Sequence, residues 1–374
     1  MNLPPFLNLG LYKNLVHLLR SLGYSSVLNP HLSTSNLVEM TFKNFIGVDV
    51  SKRTLDLCLV REQENPSFYQ CLNTLAAITD TLTMICKKHG LDRQSVLLCA
   101  EHTSYYTRHL QQVCIAGDYR LWLENPAQIK CSQGVLRGKN DKQDAGRIAV
   151  YAQRFVDKAD IMQPSKAIYE QLAYLSTERE LLLTDAAKYK AQLKDEADYI
   201  DPKLFKAKKK RTQRLIKELE TSLAAIEKQV SELIESDPDC NQQYQLLTSI
   251  DGIGKQVAVH TIIETRGFTR FTDARKFACH AGVAPFKYFS GTSIRSANKV
   301  SHRANKKLKK LLHMAALSAI RMKNELRAYY ERKVAEGKNK MSVINAIRAK
   351  LIARMFAIIN KNRMYQKNLQ LPIV

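Results

Sequence analysis

Between residues 45 and 156 the sequence alternates short apolar, β-branched runs with longer stretches of helical periodicity. The segment FIGVDVSKRTLDLCLV, which starts at Phe45, predicts a strand, a tight turn at residues 51–53 and a second strand. SVLLCA (residues 95–100) and the start of YRLWLENPAQIK (119–130) predict two more strands, and helices are predicted near 73–89 and 140–156. Strands that alternate with helices are typical of an α/β domain, which we expect over residues 41–157.

Four carboxylates lie where this pattern holds side chains rigidly. Asp49 and Glu101 end predicted strands, whereas Asp141 and Asp144 lie three residues apart at the start of a predicted helix and project from one face. Phosphodiester cleavage commonly uses two divalent ions about 3.5–4 Å apart, and such hard ions prefer carboxylate oxygens. We interpret the four residues as candidate catalytic ligands for Mg²⁺ or Mn²⁺. Each one alone could equally be a turn or helix-capping residue.

Two long helices are predicted over residues 160–240, on either side of Asp201-Pro202. Their apolar residues recur at four-three spacing, which favours an antiparallel hairpin or coiled coil. Such a segment could be a dimerisation arm or an intramolecular bundle, and the spacing does not distinguish the two. A homodimer or homotetramer is our expectation for the assembly.

Positive charge is concentrated in the last third of the chain. The 58 Lys and Arg residues outnumber the 35 Asp and Glu residues, which gives a net charge of +23. By segment, the net charge is +4 for residues 1–160, −1 for 161–240 and +20 for 241–374. The strongly basic segment predicts a helical, nucleic-acid-binding domain over 241–360, followed by a tail at 361–374. A basic domain with another role is the alternative.

Two features inside this segment predict contact with phosphates. The Gly252-Ile253-Gly254 turn in LLTSIDGIGKQVAVHTII resembles a helix-hairpin-helix, which presents backbone N–H groups to a phosphate, although an ordinary helix connection fits it equally well. The second feature is a set of cations around it and further along the chain. The candidate nucleic-acid-binding residues are Gly252, Gly254, Lys255, Lys287, Arg295, Lys299, Arg303, Lys306 and Lys307.

Composition excludes several other classes of protein. The eight cysteines are scattered singly without zinc-like spacing, as in a reduced intracellular protein. No apolar run approaches the roughly 18 residues that span a bilayer. We therefore expect a bacterial cytoplasmic, nucleoid-associated protein with no membrane partner. Residues 1–40 show weak periodicity, so we expect them to be an N-terminal extension, with Met40 as an alternative start.

The blocks GVDVSKRTLDL, CAEHTSYY and GKNDKQDAGRIA resemble the RuvC-like domain of the DEDD insertion-sequence transposases, the insertion-sequence one-hundred-and-ten family. This family includes Piv-type DNA invertases and bridge-RNA-guided recombinases. The stretch from LLTSIDGIGKQ to KKLLHMAAL is similar to the family's C-terminal transposase domain, and the resemblance covers about residues 44–355 in order. One departure is Asn140, which stands where Thr is usual before the third carboxylate.

The resemblance implies a fold and a mechanism. The fold is a RuvC or RNase-H-like α/β domain, a helical coiled-coil insert and a mainly helical C-terminal domain. Asp49, Glu101, Asp141 and Asp144 would be the metal ligands, and Ser290 the nucleophile that forms a phosphoserine link with DNA. From the residues alone Ser290 would not stand out, since a Ser-Gly pair is usually a turn.

The sequence therefore predicts a transposase or site-specific recombinase that cleaves and exchanges DNA strands and, by resemblance, uses a guide RNA. Two alternatives stay open. One is a Piv-like DNA invertase of the same family, which would share every residue named above. The other is a non-catalytic nucleic-acid-binding protein, in which the carboxylates would be structural.

Overall fold

The computed structural model describes residues 42–102, 104–132, 141–286, 289–290, 294–295, 299–300 and 304–366. The predicted N-terminal extension and most of the predicted tail lie outside these residues. The chain divides into two compact units, Met1–Pro164 and Ser165–Val374.

The first unit is built on a five-stranded mixed sheet with the order β3-β2-β1-β4-β5. Its strands are β1 (Asn44–Val50), β2 (Thr54–Arg61), β3 (Ser67–Leu72), β4 (Val96–Glu101) and β5 (Arg120–Glu124). The first three strands form an antiparallel meander, while β4 and β5 run parallel to β1. The predicted α/β class is confirmed.

Four α-helices of the described part of this unit accompany the sheet: α1 (Leu75–His89), α2 (Arg108–Ala116), α3 (Pro126–Ser132) and α4 (Asp141–Arg154). Local chemistry sets the bounds of α1. The Thr74 side chain accepts a hydrogen bond from the Ala77 N–H, and Gly90 ends the helix at φ 63°.

The two faces of the sheet bury different helices. Alternate residues of β1, including Ile46 and Val48, pack in one apolar cluster with Ile78 of α1 and Leu110 of α2. On the opposite face Phe45 packs in a cluster that contains Ile148 of α4. The period of two along each strand therefore decides which residues face α4.

The second unit begins with a helical hairpin of α5 (Ala167–Glu196) and α6 (Pro202–Ser236). Asp201 caps α6 by accepting from the Lys203 and Leu204 N–H groups, and Pro202 occupies the first turn, where no N–H is needed. Ion pairs between the helices show that they are antiparallel: Arg179–Glu227 lies near one end and Glu196–Lys208 near the other.

Six further helices complete this unit: α7 (Pro238–Thr248), α8 (Lys255–Thr265), α9 (Ala274–His280), α10 (Lys306–Arg321), α11 (Glu325–Ala335) and α12 (Lys340–Lys361). Four two-residue strands lie between α9 and α10: β6 (Pro285–Phe286), β7 (Phe289–Ser290), β8 (Ile294–Arg295) and β9 (Lys299–Val300).

One apolar cluster joins the base of the hairpin to the C-terminal helices. It contains Leu172 of α5, Ile234 of α6, Ile262 of α8 and Leu351 of α12. The segments 160–240 and 241–360, predicted as separate domains, thus share a core, because the inward-facing heptad residues continue into it. Among the described residues no helix is long and apolar enough to cross a membrane.

Candidate active site

A row of polar side chains crosses the sheet of the first unit at one level. Asp49 of β1 is paired with Asp56 of β2, and Asp56 with Gln70 of β3. On the other side, Glu101 of β4 is paired with Glu124 of β5. The β1–β4 register connects the two halves because it pairs Val48 with Ala100, the residues just before Asp49 and Glu101. In strand order the row is Gln70, Asp56, Asp49, Glu101, Glu124.

All four acids of this row belong to the face that α4 covers. Gly47 pairs with Cys99, and two residues further along their strands, on the same face, come Asp49 and Glu101. Cys99 itself lies in the apolar cluster with Ile148 of α4. Burial, reinforced by the carboxylates of Glu124 and Glu101, raises the pKa of the Cys99 thiol. Asp49 and Glu101 therefore lie at the ends of two adjacent strands.

The two outer acids of the row have protein hydrogen-bond donors. Asp56 is buried and accepts a bond from Gln70 Nε2 at 3.0 Å. Glu124 accepts from the Asn125 N–H at 2.6 Å and from the Tyr151 hydroxyl at 3.1 Å. Burial followed by the nearby Glu124 charge raises the pKa of Tyr151. These bonds fix the outer acids. Asp49 and Glu101, at the centre of the row, are half-buried.

Helix α4 approaches β1 unusually closely next to the row. A Cβ built on Gly47 would lie 2.1 Å from the Ala145 carbonyl oxygen and 2.2 Å from the Ala149 nitrogen. Only glycine allows this approach, because no real Cβ makes such contacts. Asp144 immediately precedes Ala145 on α4, so the packing brings its position to the strand that carries Asp49.

Asp144 is paired with a cation on its own helix. Arg147 Nη1 lies 2.6 Å from Asp144 Oδ1, and the two side chains keep 21% and 25% of their exposure. Arg147 also lines a cleft of about 620 Å³ together with Phe68, Tyr151 and Arg154. Asp144 is thus a partly accessible carboxylate that shares its charge with a neighbouring guanidinium.

No three His, Cys, Asp or Glu side chains among those described lie close enough together to hold a metal ion. The side chain of Asp141, the first residue of α4, lies outside the described set. The three described members of the predicted ligand set therefore occupy two adjacent strand ends and the first turn of the covering helix. The chemistry of this donor set, all carboxylates, fits a hard divalent cation.

Ser290, in the second unit, lies on β7 and pairs with Ile294 of β8 in a two-residue antiparallel ladder. The neighbouring ladder pairs Phe286 of β6 with Lys299 of β9. The described backbone of this segment therefore folds back on itself twice, and Ser290 belongs to one of its short strands. Its side chain lies outside the described set.

A polar clasp closes the base of the segment that carries Ser290. The Asn305 N–H donates to the His280 carbonyl at 3.0 Å, which brings the two ends of the segment 281–304 together. Glu264 Oε1, on α8, accepts a hydrogen bond from Asn305 Nδ2 at 2.6 Å. The other carboxylate oxygen, Oε2, lies 3.0 Å from His280 Nε2. Burial alone would raise the pKa of Glu264, but these two partners outweigh it and hold the pKa below its usual value.

The two glycines of the Gly252–Gly254 turn, which were predicted together to contact phosphate, have different surroundings. Gly252 has φ 90°, and a Cβ there would lie 2.7 Å from the Ala315 carbonyl oxygen, so its role is packing against α10. Gly254, at the N-cap of α8, has open space around it and no side-chain cap. It lines a cleft of about 500 Å³ with Lys255 and Gln256. Gly254 and the turn that follows it therefore border open space, whereas Gly252 is packed.

The predicted cationic residues differ in how much the structure describes. Lys287 and Arg303 lie outside the described residues, and Arg295 and Lys299 are described in their backbone only. Lys306 and Lys307 begin α10, where Lys307 Nζ lies 2.5 Å from Glu180 Oε2 of α5. Lys307 therefore already has an anionic partner inside the second unit.

Sequence reasoning missed Glu124 and Glu264. Glu124 ends a strand as Glu101 does, so the same criterion could have selected it. Glu264 carries no local signal, because its partners lie 16 and 41 residues along the chain.

Known proteins resemble this chain over most of its length. Residues 46–202 match the DEDD transposase model of the IS110 group, and residues 244–331 match that of the transposase IS116/IS110/IS902 family. The pilin gene-inverting protein of Moraxella bovis is 27% identical over 333 residues, which are 87% of this chain and 99% of that protein. An uncharacterized 43.6 kDa protein of insertion element IS110 from Streptomyces coelicolor is 28% identical over 145 residues, 39% of this chain and 35% of its own length.

Among solved structures, the RuvC structure of Thermus thermophilus aligns with 32% of this chain and 98% of its own, at 10% identity and a TM-score of 0.23. The family assignment rests instead on the two family models and on the full-length match to the pilin gene-inverting proteins. The chain belongs to the IS110 family of DEDD transposases, and it is an enzyme of the DNA transposase and recombinase class.

Proposed function

We propose that this protein cleaves and exchanges DNA strands in a metal-dependent reaction with Ser290 as the nucleophile. The observation that carries the proposal is the placement of Asp49 and Glu101 at neighbouring strand ends, on the face against which α4 packs through Gly47. Carboxylates fixed on rigid elements are what catalysis by divalent ions requires. A purely structural role would not need two acids side by side at the centre of the row.

The residues that would hold the metal are Asp49, Glu101, Asp141 and Asp144. Mg²⁺ or Mn²⁺ bound there would neutralise charge on the scissile phosphate and activate an oxygen. The protein's own contribution would be orientation: the sheet register fixes the positions of Asp49 and Glu101, and Asp144 would join them from the first turn of α4. Arg147 forms an ion pair with Asp144, so a metal bound there would have to share the carboxylate with this guanidinium.

Ser290 would supply the covalent step. Its hydroxyl oxygen would bond to phosphorus as the phosphate–sugar bond breaks, and the hydroxyl proton would pass to the released sugar oxygen. Attack on the phosphoserine by the sugar hydroxyl of another strand would reverse the step and free the serine. A serine hydroxyl needs activation by a base, a metal or nearby cations, and Lys287, Arg295 and Lys299 are the cations nearest in sequence.

The same proposal includes partners. DNA would contact the basic C-terminal segment, with Gly254, Lys255 and Lys306 among its phosphate ligands. A guide RNA and a homodimer or homotetramer joined through the α5–α6 hairpin complete the proposal, and the reaction would take place on DNA in the bacterial cytoplasm. RNA sequencing of material purified with the protein from cells that carry its whole locus tests the guide.

DNA inversion is a second candidate, which the match to the pilin gene-inverting proteins over 99% of their length favours. An inversion reaction and a transposition reaction would use the same residues. A plasmid with inverted sites from the gene's flanks distinguishes them, since inversion changes only the orientation of the segment between the sites.

The mechanism is tested with Asp49→Ala and Ser290→Ala, each compared with a matched variant: the exposed Asp80→Ala for the first, and Ser293→Ala, three residues along the chain, for the second. We expect the first pair to lose strand exchange while DNA binding persists, and Ser290→Ala to lose the covalent protein–DNA adduct as well. Strand exchange near the wild-type level in either of the first pair would contradict the mechanism.

A further inference from the structure

Charge along the α5–α6 hairpin is divided into two opposite halves. The half near the turn, residues 186–217, has 11 basic and 4 acidic residues, whereas the remainder of 165–240 has 3 basic and 11 acidic residues. The halves nearly cancel, so the net charge of the whole segment conceals them. The turn end of the hairpin is strongly positive.

Five cations of α6 fall on a single face. They are Lys203, Lys206, Lys210, Arg214 and Lys217. At 100° per residue these positions lie within an arc of about 80°, and at 1.5 Å per residue they extend about 21 Å along the axis. Thr212 and Ile216 are buried on the opposite side of the helix. We call these five residues the cationic stripe.

The cationic stripe is exposed and lacks anionic partners. All five residues are exposed, and none of them has an ion pair with any residue that the structure describes. Lys208, on a different face of the same helix, does have one, with Glu196 at 2.6 Å. Five aligned like charges on one helix repel one another, so they favour an external polyanion.

We propose that the cationic stripe of α6 binds the phosphate backbone of a nucleic-acid duplex. A regular line of cations about 21 Å long matches a polymer that carries one negative charge per about 1.7 Å of helix axis. The contact is independent of base sequence, because Lys and Arg on phosphates carry none. It would add a second nucleic-acid surface beyond the C-terminal segment, and it goes beyond the chemistry assigned to Asp49 and Ser290.

Two other occupants fit the observations less well. The acidic half of a second hairpin is largely engaged, since six of its eleven acids already pair with cations of the same chain. A membrane-surface helix needs an apolar face directed at the lipid, but α6 packs against α5, and its apolar residues Ile216 and Ile226 are buried.

The test uses the full chain with Lys206→Gln, Lys210→Gln and Arg214→Gln combined. The matched control, Lys166→Gln with Arg179→Gln and Lys228→Gln, removes the same charge from cations in the acidic half of the hairpin that pair with Asp237, Glu227 and Glu232. Glutamine keeps a helix propensity close to that of lysine, and circular dichroism checks the fold. Binding of a random-sequence DNA duplex and of an RNA hairpin is measured by fluorescence anisotropy from low to high salt, without divalent ions.

For the stripe variant we expect about a tenfold or greater loss of affinity and a salt slope, log K against log salt, that is shallower by about 2–3. The control should keep the wild-type slope. A loss with either polymer supports the proposal and identifies the bound one. Equal salt slopes for the stripe variant and the control would overturn the proposal. Parallel assays measure self-association and binding to anionic vesicles, and a loss of affinity found only in one of these would overturn it as well. No strand exchange is measured, so the result is independent of the proposed catalytic roles.

Discussion

Gly47 and Ala145 meet backbone to backbone: a Cβ on the glycine would lie 2.1 Å from the alanine carbonyl oxygen. This contact seats α4 directly on β1, and it relates Asp144 to the strand that bears Asp49. The relation between Asp144 and Asp49 therefore depends on the lack of a side chain at Gly47.

Gly47→Ala should separate α4 from the sheet. Overpacking a tight contact usually costs about 1–3 kcal/mol, and here the clash is with backbone atoms that cannot rotate away. We expect a loss of unfolding free energy at the upper end of that range or beyond, measured by urea denaturation. Gly146→Ala is the control, because its Cβ would lie 3.7 Å from the nearest atom, in Phe68, and alanine favours a helix by about 1 kcal/mol. Equal stability of the two variants would refute this account.

Arg147→Gln should strengthen metal binding if Asp144 is a ligand. The guanidinium lies 2.6 Å from the Asp144 carboxylate and opposes a second cation there. Its removal should tighten Mn²⁺ binding by about tenfold at low ionic strength, with a smaller gain in high salt. Isothermal titration calorimetry measures the affinity. Arg154→Gln, on the same helix and cleft, should leave it unchanged, and weaker binding by the Arg147 variant would count against Asp144 as a ligand.

Glu264→Gln should loosen the clasp at the base of the Ser290 segment. At neutral pH we expect a loss of about 1–3 kcal/mol of unfolding free energy, because a charged acceptor with two donors becomes a neutral amide. Since the folded-state pKa of Glu264 lies below its usual value, the stabilisation is present above that usual value and disappears as the pH falls through the folded pKa. Chemical denaturation at several pH values follows the change.

A matched surface substitution separates this effect from a general loss of charge. Glu331→Gln removes an exposed pair with Arg327 and should cost about 0.5 kcal/mol or less. If the Glu264 variant lost stability equally at acidic and neutral pH, the clasp would not depend on the ionised carboxylate.

His260 should make the second unit sensitive to mild acid. Burial, followed by the nearby Lys307 charge, lowers the pKa of His260 from 6.5 to about 4. Between pH 6.5 and about pH 4, the unfolded chain therefore binds a proton at His260 that the folded chain does not bind. Unfolding free energy should fall from about pH 6.5 to about pH 4, by about 3 kcal/mol from this residue alone. His260→Met should remove that part of the pH dependence, and an unchanged profile in guanidinium titrations would show that another group is responsible.

Local pattern was sufficient to predict four of the five strands and two of the four described helices of the first unit, together with two of its acids, whereas β3, α2 and α3 were not predicted. Asp49 and Glu101 end apolar runs, so their positions follow from the sequence of each run. That they lie side by side depends on the β1–β4 register, which forms between residues some fifty positions apart and leaves no periodic trace. Glu124 completes the same row, and because it ends a strand as Glu101 does, the same local criterion could have selected it.

Other parts of the site were beyond local pattern altogether. Ser290 was selected only by family resemblance, since nothing about a Ser-Gly pair distinguishes it from a turn. The net charge of −1 for residues 161–240 hides a positive half and a negative half, because it is a sum over the whole segment. The cationic stripe becomes visible only when residues are placed at helical angles.

The row of polar side chains from Gln70 to Glu124 also limits where residues can be inserted into or deleted from the chain. Its members are fixed by hydrogen-bond register, and neighbouring strands lie about 4.8 Å apart, so the sheet itself sets the spacing of the carboxylates. A residue deleted within β4 would turn Glu101 to the other face, whereas a residue deleted from the loop before it would leave the register intact. Insertions and deletions in functional homologues should therefore be confined to loops, and the strand segments that lead to Asp49 and Glu101 should keep a constant length.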